Sequence, residues 1–153
     1  MASGFIILKD GRCWARYWSV YDAIIRIAIK ELRLVENGEI LANWLTSIIP
    51  KSDDEWGESG WGFFNEETDD WITRNFDTRS LTPKNQKLFW NAIINGSKKL
   101  KEKGLEYSDL YPEVLDRLVK MYILSQEGAN PLDMSDWNVI ADECTEKNGP
   151  DWD

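Results

Sequence analysis

The sequence predicts an α+β fold: two β-hairpins packed with four to five helices, in the order ββααββαα plus a C-terminal short helix. Three observations predict it. Two strand–turn–strand patterns are rich in aromatic and β-branched residues, several stretches repeat apolar residues at i, i+3, i+4, and Gly, Pro or Asn punctuates the joins. The two hairpins are expected to join in one antiparallel sheet of about four strands, with helices covering its apolar face, or alternatively to belong to separate sheets. Apolar content of 42% and charged content of 29% over 153 residues exclude a disordered chain and support a single globular domain over 1–153.

The first hairpin runs from Phe5–Leu8 to Cys13–Trp18 around Asp10-Gly11, a turn pair in which glycine tolerates positive φ. Ser19 is the expected cap of a helix, with Asp22 near the positive end of its dipole. Tyr21, Ile24, Ile25, Ala28, Leu32 and Val35 share one face of that helix, and Asn37-Gly38 supplies a left-handed stop. A second helix over 39–49 presents Ile40, Leu41, Trp44, Leu45 and Ile48, and Pro50 ends it.

Residues 51–60 lack periodicity and read as a loop. The second hairpin is expected from Trp61–Phe64 to Trp71–Phe76, turning near Glu67 to Asp70. Thr82 then caps a helix with Pro83 in its first position, where a missing N–H costs nothing. Leu88, Phe89, Ala92 and Ile93 form its stripe, and Asn95-Gly96 is expected to end or kink it before a lysine-rich turn and Gly104. The next helix is predicted from near Ser108, with Pro112 in its first turn, Leu115, Leu118, Val119 and Tyr122 on its face, and Gly128 closing it. In the tail, Met134, Trp137, Ile140, Ala141 and Cys144 recur at helical spacing behind Ser135, which predicts a short docked helix.

The formal net charge of −9 is concentrated in two places. Residues 51–70 hold eight carboxylates against Lys51, and the acidic C-terminal segment 128–153 holds seven against Lys147, so the rest of the chain is mildly basic. Such fields select and steer partners. The chain has no histidine, which removes Ser-His-Asp and Cys-His catalysis and imidazole metal sites. No calcium-loop pattern is present, and no metal ligand set, cofactor motif or catalytic residue is assigned. Cys13 and Cys144 are expected to be two buried free thiols, as in a cytosolic protein. No apolar run is long enough to span a membrane, and the first residues lack a basic signal-peptide region, so the expected location is cytoplasmic.

These features lead to a non-catalytic acidic protein-binding module, with an immunity or inhibitor protein that neutralises a basic partner such as a nuclease toxin as its concrete form. The candidate partner-binding residues are Asp53, Asp54, Glu55, Trp56, Glu58, Trp61, Asp69 and Asp70. Carboxylates there would imitate a phosphate backbone, and tryptophan would anchor. Trp14, Trp18, Trp44, Trp71 and Trp137 are assigned to packing, and Trp152 is expected to be exposed. The lysine-rich turn 97–103 is expected to contact an acidic element of the chain rather than nucleic acid, which the net charge repels. Two alternatives stand beside this reading. One is a small-molecule or carbohydrate binder or carboxylate-based enzyme, which needs a pocket where an aromatic and two carboxylates converge. The other is a homo-oligomerising structural domain, leaving monomer or homodimer open.

Overall fold

The computed structural model describes residues 3–50, 62–104 and 110–128. The first hairpin forms as expected: β1 (Ser3–Ile7) and β2 (Cys13–Tyr17) pair antiparallel, with Phe5 opposite Ala15 and Ile7 opposite Cys13. Gly11 takes φ 91° in the turn, a value that carries a Cβ penalty for other residues, and the Asp10 carboxylate accepts from the backbone and side chain of Arg12.

Helix α1 (Trp18–Leu32) starts one residue before the predicted cap. Tyr17 occupies the N-cap without a side-chain hydrogen bond, and Ser19 falls inside the first turn. Tyr21, Ile24, Ile25, Ala28 and Leu32 are buried as predicted, whereas Val35 lies past the helix end and is exposed. The left-handed residue of the following turn is Asn37 (φ 65°), not Gly38. Gly38 is required for space instead, because a Cβ there would run into the Leu32 carbonyl oxygen.

Helix α2 (Glu39–Ser47) is shorter than predicted and rolled about its axis. Leu41 and Leu45 are buried, but they share the buried face with Ala42, while Ile40 is 82% exposed and Trp44, 41% exposed, keeps a tilted ring contact with the buried Phe76 at 5.7 Å. Both stripes fit the helical period. The small Ala42 lets α2 close on α1, which the bulk of Trp44 would prevent.

The largest departure from expectation is the sheet. The stretch expected as one strand, Trp71–Phe76, divides into β4 (Asp70–Thr73) and β5 (Asn75–Asp77). β4 pairs antiparallel with β3 (Gly62–Asn65), while β5 crosses to pair parallel with β1, giving a three-stranded sheet β2-β1-β5 and a separate two-stranded β3-β4. Arg74 is the switch. Its carbonyl accepts from the Phe5 N–H at 2.8 Å, and its guanidinium turns inward to Asp22, so the chain cannot continue along the hairpin. A 3-10 turn (Thr78–Ser80) follows, pinned by Thr78 Oγ1 donating to the Ile7 carbonyl at 2.7 Å.

Helix α3 (Pro83–Lys103) has the predicted cap, with Thr82 Oγ1 accepting from the Asn85 N–H at 3.2 Å. It is not interrupted at Asn95-Gly96. Gly96 lies against Ile27 of α1, and the missing side chain allows the approach of the two helices. Among the lysines of its last turns, Lys99 reaches the buried Glu31 of α1 at 2.8 Å, and Lys101 reaches Asp116 at 2.6 Å. Helix α4 (Pro112–Glu127) ends at Gly128 in the left-handed conformation, as predicted. Its start at Pro112 places Ser108 outside the described residues.

The helices share one apolar core with Ile6, Leu8 and Trp14 from one face of the sheet, closed by an aromatic run from Phe76 through Phe89 to Trp90 and Tyr122. Phe5, Ile7, Cys13 and Ala15 form a second buried cluster on the opposite face. Cys13 is disulfide-bonded, which corrects the expectation of free thiols; Cys144, the other cysteine of the sequence, lies outside the described residues. So do the loop 51–60 and the predicted tail helix. Among the described residues no helix is long and apolar enough to cross a membrane.

Candidate functional site

The β3–β4 hairpin has one face turned inward and one turned out. Phe63 is buried, and on the same face Asn65 Nδ2 donates to the Ser47 carbonyl at 2.8 Å, tying the hairpin to the end of α2. Side chains alternate across a strand, so Gly62, Phe64, Trp71 and Thr73 occupy the other face. Phe64 (52% exposed) and Trp71 (57%) are direct cross-strand partners there, and the Trp71 ring lies over Gly62, where a Cβ would sit 2.8 Å from Cζ2.

The turn at the hairpin's end carries Glu66, Glu67, Asp69 and Asp70, all exposed. Asn65 Oδ1 organises it by accepting from the N–H groups of Glu67 and Thr68, and Asp69 adopts φ 53°, a conformation aspartate tolerates better than most residues. Asp70 accepts from the Trp71 N–H at 2.8 Å. Among the described residues, no cation pairs with Glu66, Asp69 or Asp70, and no three acidic or cysteine side chains converge as metal ligands. Glu66, Asp69 and Asp70 stand beside an exposed aromatic pair, an arrangement suited to a cationic surface with an apolar spot.

Of the predicted site residues, Asp69 and Asp70 sit in this turn. Asp53, Asp54, Glu55, Trp56, Glu58 and Trp61 lie outside the described residues. Phe64 and Trp71 are contributors that sequence reasoning did not place in the site, Trp71 having been assigned to packing. Their signal was the register: a turn over 66–69 pairs them on the face opposite Phe63, and a sheet of two strands has only one face to bury.

Between this hairpin and α2 lies a cleft of about 520 Å³, lined by Asn43, Thr46, Ser47, Phe63, Asn65 and Glu66 among others. Phe64 and Glu67 also reach it.

The most strongly perturbed titratable group is elsewhere. Tyr21 is buried under Gly4, and burial, then the Asp22 charge, push its hydroxyl far above the ordinary tyrosine range, with Arg74 opposing. A perturbed group inside a cleft is a functional candidate. Tyr21 lines neither described cleft, and its hydroxyl has no hydrogen-bond partner, so its environment is structural. Because the folded pKa is raised, the stability it contributes is complete below about pH 10 and is lost as pH climbs toward the folded value. Tyr21→Phe is expected to be neutral or stabilising by up to ~2 kcal/mol at pH 8, since it removes an unsatisfied buried hydroxyl. It is also expected to lose about 1 kcal/mol less than the wild type between pH 8 and pH 11 in urea unfolding. Equal losses in Tyr21→Phe and the wild type would mean that the hydroxyl is hydrated in the folded state.

Elsewhere the shifts follow local pairs. Burial alone would raise the Asp77 carboxyl, but hydrogen bonds from the Arg79 side chain and N–H prevail and hold it below the usual range. The Lys101 hydrogen bond does the same for Asp116, with Lys120 assisting against burial.

The fold and site define an α+β domain with an acidic, aromatic hairpin. No protein-family model, no curated protein and no solved structure matches this chain.

Proposed function

We propose that the chain is a non-catalytic protein-binding module whose acidic hairpin receives a basic protein, with the neutralisation of a basic toxin or enzyme as its concrete form. One observation carries the reading: Phe64 and Trp71 remain exposed as a pair beside Glu66, Glu67, Asp69 and Asp70. Solvated charge alone needs no exposed indole, whereas tryptophan is enriched among residues that dominate interfaces. Asp53, Asp54, Glu55, Trp56, Glu58 and Trp61 extend the proposed surface on sequence grounds.

The purified chain is expected to retain a basic protein from extracts of its native cell, in a manner abolished by high salt. Trp71→Ala should weaken retention by roughly 30-fold, the effect of losing a hot spot of about 2 kcal/mol. Replacing the four turn carboxylates by their amides should slow association at least ~10-fold. Retention that survives both changes sinks the assignment. The partner reading is independent of location, which matters because a disulfide at Cys13 fits an oxidising compartment better than the expected cytoplasm.

The hairpin–α2 cleft favours a second reading, a small polar ligand. There Phe63 and Phe64 stand with Glu66, Glu67 and the amides of Asn43 and Asn65, the aromatic-plus-carboxylate combination a sugar site uses. A thermal shift produced by a panel of sugars would favour it over the protein partner.

A further inference from the structure

A second cleft, of about 500 Å³, lies between α1 and α2 and adjoins the first at Thr46 and Ile49, which line both. Its floor is apolar, with Ile29 and Ile49 buried and Leu34, 66% exposed, at the edge. Arg26, Lys30 and Arg33 stand along one side. Their spacing of i, i+4, i+7 puts them on one helix face, in a row about 10 Å long. The helix dipole explains the later cations, which sit near its negative end, but not Arg26, nearly two turns earlier. Arg33 is steered over the cleft by Asn43 Oδ1 and Thr46 Oγ1, each at 3.4 Å, and its contact with Glu39 is long at 3.8 Å. Both partners of that ion pair are exposed, so a ligand displaces it at little cost.

The geometry points to this cleft as a docking site for an acidic segment of a protein partner, one that sets an apolar side chain on Ile29, Leu34 and Ile49 and carboxylates on Arg26 and Arg33. A single small carboxylate spans only one or two of these cations. The cleft is also open, and so lacks the walls that enclose most of a small ligand. A peptide with carboxylates one helical turn apart matches the row in length and sign. The surface is separate from the acidic hairpin, and the inference does not rest on the reading of that hairpin.

The test is fluorescence anisotropy on the full chain at low salt. The probe is a short labelled helical peptide with glutamate at i, i+4 and i+7 and leucine at i+3, and its control carries glutamine at the three acidic positions. Saturable binding of the acidic peptide is expected, with the control about 5-fold weaker or worse. Arg26→Glu, at an exposed position that leaves the fold intact, should weaken binding about 10-fold, and Leu34→Ser about 5-fold. Glu66→Gln with Glu67→Gln should leave it no weaker. No saturation by about 1 mM, or equal affinity for the wild type and Arg26→Glu, overturns the proposal. Self-association in sedimentation that Arg26→Glu abolishes would overturn it too, by making a second copy of the chain the occupant.

Discussion

Asp22→Ala is expected to destabilise the protein by about 3–5 kcal/mol, the cost of removing the carboxylate that receives a buried arginine. Arg74 lies 1% exposed, and Asp22 receives it through two hydrogen bonds, Nε to Oδ1 at 2.9 Å and Nη2 to Oδ2 at 2.8 Å. The Trp18 ring covers the guanidinium at 4.9 Å, which adds attraction but no negative charge. A domain of this size has roughly 5–15 kcal/mol in total, so the loss lowers the melting temperature by about 10 °C. The pair itself is a different quantity from its breakage. Asp22→Leu combined with Arg74→Met removes both charges and should come out near neutral in urea unfolding, because the desolvation of two ions disappears along with their attraction. If Asp22→Ala costs less than ~1 kcal/mol, then water or another carboxylate reaches Arg74, and the account of a sealed pair fails.

The same arginine shows where sequence reading stopped. The helices were legible because each has a period its own residues reveal: Tyr21 through Leu32 on α1, Leu115 and Leu118 on α4, with Thr82, Pro83 and Gly128 marking ends. The first hairpin was legible because Asp10-Gly11 is a local signal. Arg74 carries no such signal. Within Trp-Ile-Thr-Arg-Asn-Phe the alternation places it on the face of Ile72 and Phe76, where a charge is unexpected, and only its distant partners, Asp22 and the Phe5 N–H, explain its burial and divide the strand. Parallel pairing of β5 with β1 spans some seventy residues and leaves no local mark. For the candidate site, Asp69 and Asp70 were legible as charge. The exposure of Trp71 depended on the hairpin standing apart from the main sheet, a tertiary fact.

Two glycines separate steric effects of different kinds, and the expected order is that Gly38→Ala is worse than Gly96→Ala. At Gly38 the obstacle is the backbone carbonyl of Leu32, in a turn bonded at both ends: the Val35 N–H donates to the Leu32 carbonyl at 3.3 Å at the end of α1, and the Ala42 N–H donates to the Gly38 carbonyl at 2.9 Å at the start of α2. Neither element can yield without the other, so the cost should reach ~3 kcal/mol, the upper end for overpacking. At Gly96 the obstacle is the γ2 methyl of Ile27, a side chain on a neighbouring helix. Overpacking there costs about 1–3 kcal/mol, but alanine returns about 1 kcal/mol of helix propensity in the middle of α3, leaving a net loss of ~0–2 kcal/mol. The two cases also differ in rescue. Ile27→Leu moves the branch away from Cβ, so it should recover at least ~0.5 kcal/mol when combined with Gly96→Ala, a coupling readable from a double-mutant cycle. The same substitution should do nothing for Gly38→Ala, because a carbonyl oxygen has no alternative rotamer. A Gly96→Ala variant as costly as Gly38→Ala would overturn the expected order, and a cycle without coupling would show that α1 and α3 have room to separate and that Gly96 is not what sets their distance.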